Sequence, residues 1–472
     1  MLKKQEEFTR EHYIVLLIIA FAALMGTLDS TIVNISLPTI ASSFGVDISI
    51  VSWVVLAYLL ILAGLLLAFG KLGDIKGFRR VFIAGFAIFT LGSLLCGLSS
   101  TIYQLIAFRA LQGIGGAALE ALAPAMILLY LPASRRGWAL GILATVISLG
   151  IAAGPILGGF ITEYTSWHWI FLINVPIGII AVFLAARYLP KDLPPSSKEA
   201  FDIAGAVLFL LALTTLLFPL NQGLYLGWTS PFILCSFCAS LIFWTLFYLH
   251  ERRYETPLVD MHLLSSQNYV LGNAAGLLIM MVYVGLIFLL PFFFENVQGR
   301  STDFAGLLLA VPSIAMMLVG PVAGALSDRY GSRLLTVCAA IIAAVGLYLF
   351  SLFSITTGLP LIMSALLLVG IAIGLFFPPN MSQILSSCAK EREGVASSVM
   401  TTLRYSGGVI GVAVFGTIVA QGVIGMMGHN NVITASPGVL SNGFSVAFTI
   451  GALLCLVVAV ICTATRKDRD LV

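Results

Sequence analysis

The chain has 472 residues, of which 60% are hydrophobic and only 10% charged, with a mean hydropathy of +1.06 and a formal net charge of +3. So little charge cannot cover the surface of a water-soluble protein of this size, which excludes a string of soluble domains and places the chain in a bilayer. Crossing ~30 Å of hydrocarbon takes about 20 apolar residues of helix, and windows of that length recur from end to end.

In chain order the spans are predicted at 14–39 (α1), 50–70 (α2), 80–98 (α3), 103–130 (α4), 138–162 (α5), 168–187 (α6), 203–220 (α7), 231–249 (α8), 270–294 (α9), 304–326 (α10), 334–353 (α11), 360–379 (α12), 396–421 (α13) and 442–464 (α14). The first is not a cleavable leader, because its apolar run is long, holds Asp29 and Pro38, and lacks a small-residue cleavage site. An even number of spans puts both termini on one side. With that side cytoplasmic, 21 of the 24 Lys and Arg fall in cytoplasmic segments, Arg300 faces outward, and Arg109 and Arg404 lie within helices. One missed span would scramble this sorting. The expected location is the cytoplasmic membrane of a prokaryote, multi-pass, with both termini inside.

On α1, "LDSTIVNISLP" (28–38) puts Asp29 near mid-membrane, where a carboxyl group can carry a proton. The alternative is a residue that only caps or hydrogen-bonds the helix. Between α2 and α3 the chain reads "GKLGDIKGFRR" (70–80), and between α10 and α11 "GALSDRYGSR" (324–333). At an offset of 254, Gly70, Leu72, Asp74, Gly77 and Arg79 fall on Gly324, Leu326, Asp328, Gly331 and Arg333. The repeat implies two six-helix halves of the same orientation. The expected divisions are 1–187 for the first half, 188–202 for a cytoplasmic connector, 203–249 for the inserted α7 and α8, 250–269 for a second connector, and 270–472 for the second half and tail.

Helix α4 contains "RALQGIGGAALEALAP" (109–124), in which Arg109, Gln112, Gly113, Gly116 and Glu120 step by three or four and share one face. Charges inside a membrane are costly unless they meet a wet cavity or a partner, so this face should point into the protein. A static ion pair pinning α4 to a neighbour is the competing reading for both charges. Helix α5 carries "GIAAGPILGG" (150–159): Gly150, Gly154 and Gly158 make a flat stripe for close packing, Pro155 interrupts the ladder, and Gly159 extends the run. Helix α13 holds Arg404 and a degenerate counterpart, "SGGVIGVAVFG" (406–416). Arg404 lies near enough to the cytoplasmic end to snorkel. Aromatics on α9 and α12, Tyr283, Phe288, Phe292 and Phe376 among them, are candidate cavity lining for apolar or cationic ligands. Cys235 and Cys238 on α8 read as core packing rather than as a redox or metal pair.

No nucleophile elbow, Walker loop or pair of histidines at metal spacing occurs, so neither an enzyme nor an ATP-driven pump is expected. No metal, bound cofactor or nucleic acid is expected either.

The repeated G-x-L-x-D-x-x-G-x-R loop, R-x-x-Q-G-x-G on α4 and G-x-x-x-G-P-x-x-G-G on α5 resemble the major facilitator superfamily. "LDSTIVNISLP" with "WHWIFLINVPIG" (167–178) resembles its fourteen-helix drug:proton antiporters. The resemblance covers the chain and implies an all-α membrane fold of two six-helix bundles plus two inserted helices. It further implies a monomeric, proton-driven exporter of lipophilic, cationic compounds that works by rocker-switch alternating access. By the same resemblance, Gly70, Asp74, Gly77 and Arg79 form a latch between halves and Arg109 serves proton coupling. Gly154, Pro155, Gly158 and Gly159 form the interface governing conformational change, and Asp29 takes up the proton. Glu120 stands where relatives are often apolar. Together with Asp29, Gln112 and Gly116 it is expected to meet substrate, and with Asp29 and Arg109 to meet the proton. A dedicated exporter of one metabolite, lipid or antibiotic, and a transport-inactive scaffold or sensor, remain open.

Overall fold

The structure, a computed structural model, describes residues 9–192, 202–254, 257–259, 261–388, 392–427 and 436–465. Most of the predicted connector 188–202 and the side chain of Asp328 lie outside the described residues. Among those described, fourteen helices are long and apolar enough to cross a membrane. They are α1 Arg10–Phe44, α2 Ile48–Lys76, α3 Phe78–Gly97, α4 Ile102–Tyr130, α5 Arg136–Tyr164, α6 Trp169–Tyr188, α7 Ile203–Leu226 and α8 Pro231–Glu251, then α9 Gln267–Val297, α10 Thr302–Tyr330, α11 Ser332–Ser351, α12 Leu359–Ser386, α13 Glu393–Met427 and α14 Pro437–Thr463.

Several run beyond their apolar windows, because backbone caps rather than hydropathy end them. Helix α1 stops at Gly45, whose left-handed φ of +62° lets its N–H return to the carbonyls of Ala41 and Ser42. Helix α6 breaks at Ile173 into Trp169–Leu172 and Asn174–Tyr188, and α9 closes with a π-helical turn over Phe293–Val297.

The repeated loops are tight corners of one design. Gly77 and Gly331 have φ of +99° and +85°, and each gives its N–H to the residue four back, Gly73 or Ser327, at 2.9 Å. Only glycine adopts such a corner without strain. At Gly77 a side chain would also strike the carboxyl of Asp192.

Helix contacts repeat between the halves. In the first, α1 packs on α5, α2 on α4, and α3 on α4 and α6; in the second, α9 packs on α13, α10 on α12, and α11 on α12 and α14. The halves meet where α5 crosses α10 and α2 crosses α13, the same pair of positions exchanged. The result is two six-helix bundles plus an inserted pair.

Helix α7 leans on α2 and α13, tied by Asn221 Nδ2 to Ser52 Oγ at 3.0 Å and by Thr417 Oγ1 to the Leu220 carbonyl at 2.8 Å. Helix α8 rests on α7, and among the described residues most of its remaining surface is exposed. For that reason Cys235 and Cys238 are exposed on its outer face, not packed in a core as their sequence suggests.

Candidate transport site

Asp29 lies at the centre of a closed polar cluster inside the first half. Arg109 Nη1 donates to Asp29 Oδ2 at 2.6 Å, and Gln112 Nε2 and Asn174 Nδ2 donate to Oδ1 at 2.8 and 3.2 Å. Arg109 also reaches Gln112 Oε1 at 2.6 Å and the Val54 carbonyl at 3.0 Å, while Gln112 donates to Ser93 Oγ at 2.8 Å. The guanidinium carbon stands 4.1 Å from the centroid of the Tyr58 ring. Asp29, Gln112, Asn174 and Ser93 are wholly buried and Arg109 is 1% exposed, so the pair is shut off from any space between the halves. An unmet charge there would cost several kcal/mol, which explains why Arg109, Gln112 and Asn174 all donate to one carboxylate.

Glu120, three turns along α4 from Arg109, belongs to a different environment. It is half-buried, and its Oε2 accepts a hydrogen bond from the phenol of Tyr405 on α13 in the opposite half. What separates the two acids is Tyr58 of α2. Its backbone carbonyl faces Gly113 and its hydroxyl faces Gly116, so the glycines of the α4 face admit a side chain of the protein itself. The shared face read from the sequence is real, but Tyr58 divides it into a closed site and an open one.

Helix α5 uses its small residues on two sides. Gly150, Gly154 and Gly158 face Thr27, Thr31 and Ile35 of α1, within the same half. Gly159 faces the Thr302 carbonyl of α10, and the Pro155 carbonyl faces Gly306, across the halves. One turn further, Glu163 accepts from Thr302 N at 3.0 Å and Tyr164 donates to Asp303 at 3.0 Å. Helix α13 mirrors the first arrangement, with Gly407 and Gly411 against the Leu277 and Met281 carbonyls of α9. The cross-half contacts of α5 thus gather at the end remote from the repeated loops. Toward the loop end, Gly137 and Gly141 of α5 and Gly320 and Gly324 of α10 have open space where a side chain would stand.

The remaining predicted residues are placed less centrally. Arg79 holds the end of the first half together, with its backbone N–H on Asp192 Oδ1 at 2.8 Å and its guanidinium on the Ala186 carbonyl. Arg404 does not snorkel: its guanidinium lies 4.0 Å from the centroid of Phe377. Phe288, Phe292 and Phe376 are sealed in helix packing, at most 1% exposed. Phe377, one residue past Phe376 and therefore about 100° around the helix, is the ring beside Arg404. Tyr283 is half-buried on α9. Sequence reasoning passed over Tyr58, Asn174 and Tyr405, and of the two neighbouring phenylalanines on α12 it chose Phe376 rather than Phe377. Asn174 sits inside the quoted "FLINVPIG" stretch, the one signal that could have marked it.

The family model of the Major Facilitator Superfamily matches residues 19–412, and the chain belongs to that superfamily of transporters. It is 36% identical over 416 residues to the riboflavin transporter RibZ of Clostridioides difficile, covering 87% of this chain and 89% of that one. It is 31% identical over 412 residues to the multidrug resistance protein Stp of Mycobacterium tuberculosis, covering 87% and 76%. Among solved structures it resembles a bacterial homologue of the human lysosomal transporter Spinster, captured inward-facing and unoccupied, with a TM-score of 0.66 over 96% of each chain and 16% identity.

Proposed function

We propose that the protein is a proton-coupled antiporter that exports lipophilic, cationic compounds from the cytoplasm across a prokaryotic cytoplasmic membrane. The observation that carries this reading is the unequal state of its two membrane acids. Asp29 is neutralised by Arg109 in a closed cluster, whereas Glu120 lies half-buried with no ion-pair partner within 4.0 Å among the described residues. One acid is built to be sensed through conformation, the other to be reached by a ligand.

The basic residues put the repeated loops on the cytoplasmic side. The contacts of α5 with α10 then close the outer end, and the open flanks of Gly137, Gly141, Gly320 and Gly324 lie toward the cytoplasm. A cation entering from that side meets Glu120. Rocking the halves about α5–α10 and α2–α13 exposes the site outward, where protons reload the acids and the cation leaves. Arg109 couples the two events, since its ion pair with Asp29 exists only while that carboxyl is ionised.

The RibZ relationship favours a second reading on the same fold, a dedicated carrier for one compound. Both are tested with purified protein in liposomes under an imposed pH gradient, with an internal pH dye. Lipophilic cations, neutral hydrophobic compounds and riboflavin are added in turn to wild type, Asp29→Asn and Glu120→Gln. We expect proton release by several unrelated cations through wild type, and loss of those responses in Glu120→Gln. A response to one compound alone supports the dedicated carrier. Proton-driven export that survives neutralising both acids sinks the antiporter reading.

A further inference from the structure

Glu120 is approached from three helices. Its Oε1 lies against α1, where a side chain on Gly26 would stand 3.3 Å away. Tyr58 of α2 is one turn off, its hydroxyl against Gly116 and without a hydrogen-bond partner. From α13 come Tyr405, whose phenol donates to Oε2, and Arg404. Arg404 is not on the carboxylate: its guanidinium is laid over the Phe377 ring of α12, and its Nε is buried with no partner. Thus the nearest cation is held by an aromatic face, and the only donor bonded to the carboxylate among the described residues is a neutral phenol. Glu120, Phe377, Arg404 and Tyr405 are all half-buried, where a ligand can reach them.

A carboxylate in a low-dielectric setting binds a cationic or N–H donor more strongly than a neutral hydroxyl. Of the two carboxylate oxygens, Oε2 is already occupied, by a residue of the other half, and Oε1 lies against α1. Resting on the export reading above, we propose that Tyr405 is a built-in competitor for substrate: its phenol holds the Glu120 oxygen that a charge-sharing amino N–H of a planar aromatic cation takes over. The ring of that cation then rests beside Phe377. Entry of substrate breaks a bond that joins α4 to α13, so binding and release of the two halves become one event. Tyr405 in this scheme sets the affinity for cations, and a neutral compound that leaves the Glu120 bond intact is indifferent to it.

The test is equilibrium binding of ethidium, by fluorescence anisotropy, to the purified full-length protein. Wild type is compared with Tyr405→Phe, Glu120→Gln and the double variant, with the neutral probe N-phenyl-1-naphthylamine in parallel. Tyr405→Phe should bind ethidium about tenfold more tightly and the neutral probe unchanged. The gain should vanish in the Glu120→Gln background, where the contested oxygen no longer carries charge. Ethidium binding that is unchanged or weaker in Tyr405→Phe, or a gain that persists without Glu120, overturns the competitor role and leaves the export reading standing. If ethidium binds neither wild type nor Tyr405→Phe, the cation-export reading and the competitor fall together.

Discussion

Where α1, α3, α4 and α6 meet in the first half, Asp29, Ser93, Arg109, Gln112 and Asn174 share a hydrogen-bonded interior. In the second half the corresponding α9, α11 and α14 meet instead through phenylalanines toward their outer ends: Phe293 is 5.7 Å from Phe353 and 5.5 Å from Phe444, and Phe350 is 5.5 Å from Phe448, ring centre to ring centre. The backbones repeat and the interiors do not. A polar interior costs desolvation and adds little stability for its trouble, but it fixes one arrangement and responds to a proton. An aromatic interior responds to nothing and packs densely. In the export cycle proposed above, the first half is the sensing body and the second the rigid body against which it moves.

The largest effect expected is from removing one member of the buried pair. Arg109→Met leaves the Asp29 carboxylate uncompensated, a cost of about 3–5 kcal/mol, and should lower the unfolding temperature sharply and abolish transport. Adding Asp29→Asn should recover much of the stability and none of the proton coupling. If the double variant is no more stable than Arg109→Met, the pair is not what the first half is organised around.

Next comes the aromatic side of the comparison. Phe350→Ala opens a cavity beneath Phe353 and Phe448 and should cost about 3 kcal/mol. Its effect on transport should follow the amount of folded protein, with the pH dependence of export unchanged. A shifted pH profile would show that the second half also senses protons.

Between the halves, Gly159→Val tests the moving surface. The first atom of the new side chain would stand 2.7 Å from the Thr302 carbonyl and 3.0 Å from Asp303 Cα, so the closed outer end should be disfavoured by about 1–3 kcal/mol. Spin labels or fluorophores at the outer ends of α5 and α10 should then report a larger separation, with export slowed. Unchanged separation would place the hinge elsewhere.

All fourteen spans and the paired loops were legible in the sequence, because hydropathy is local and a left-handed glycine corner leaves a local mark. The α4 face was legible too, since Arg109, Gln112, Gly116 and Glu120 follow helical spacing. What fills that face was not: Tyr58 comes from α2 and reads there as one more apolar-window residue. The pairing of Glu120 with Tyr405 spans 285 residues and has no periodicity to betray it. Phe376 and Phe377 illustrate the remaining gap. Composition flags both, and only the rotation of α12 decides which is sealed and which stands beside Arg404.

Asn174 offers the smallest and most discriminating perturbation of the polar cluster. Its amide reaches Asp29 Oδ1 at 3.2 Å, on an oxygen that Gln112 already serves at 2.8 Å, and its own Oδ1 has no partner. Asn174→Ala therefore removes a long, redundant bond and relieves one unpaired oxygen, for a net cost of about 1 kcal/mol or less. Melting should shift by a few degrees, and export should persist, because Arg109 and Gln112 still hold the Asp29 carboxylate. A stability loss approaching that of Arg109→Met would mean that the cluster is held as an indivisible network rather than around a dominant ion pair. Export lost at unchanged stability would mean that Asn174 acts in the transport cycle itself and not only in holding Asp29.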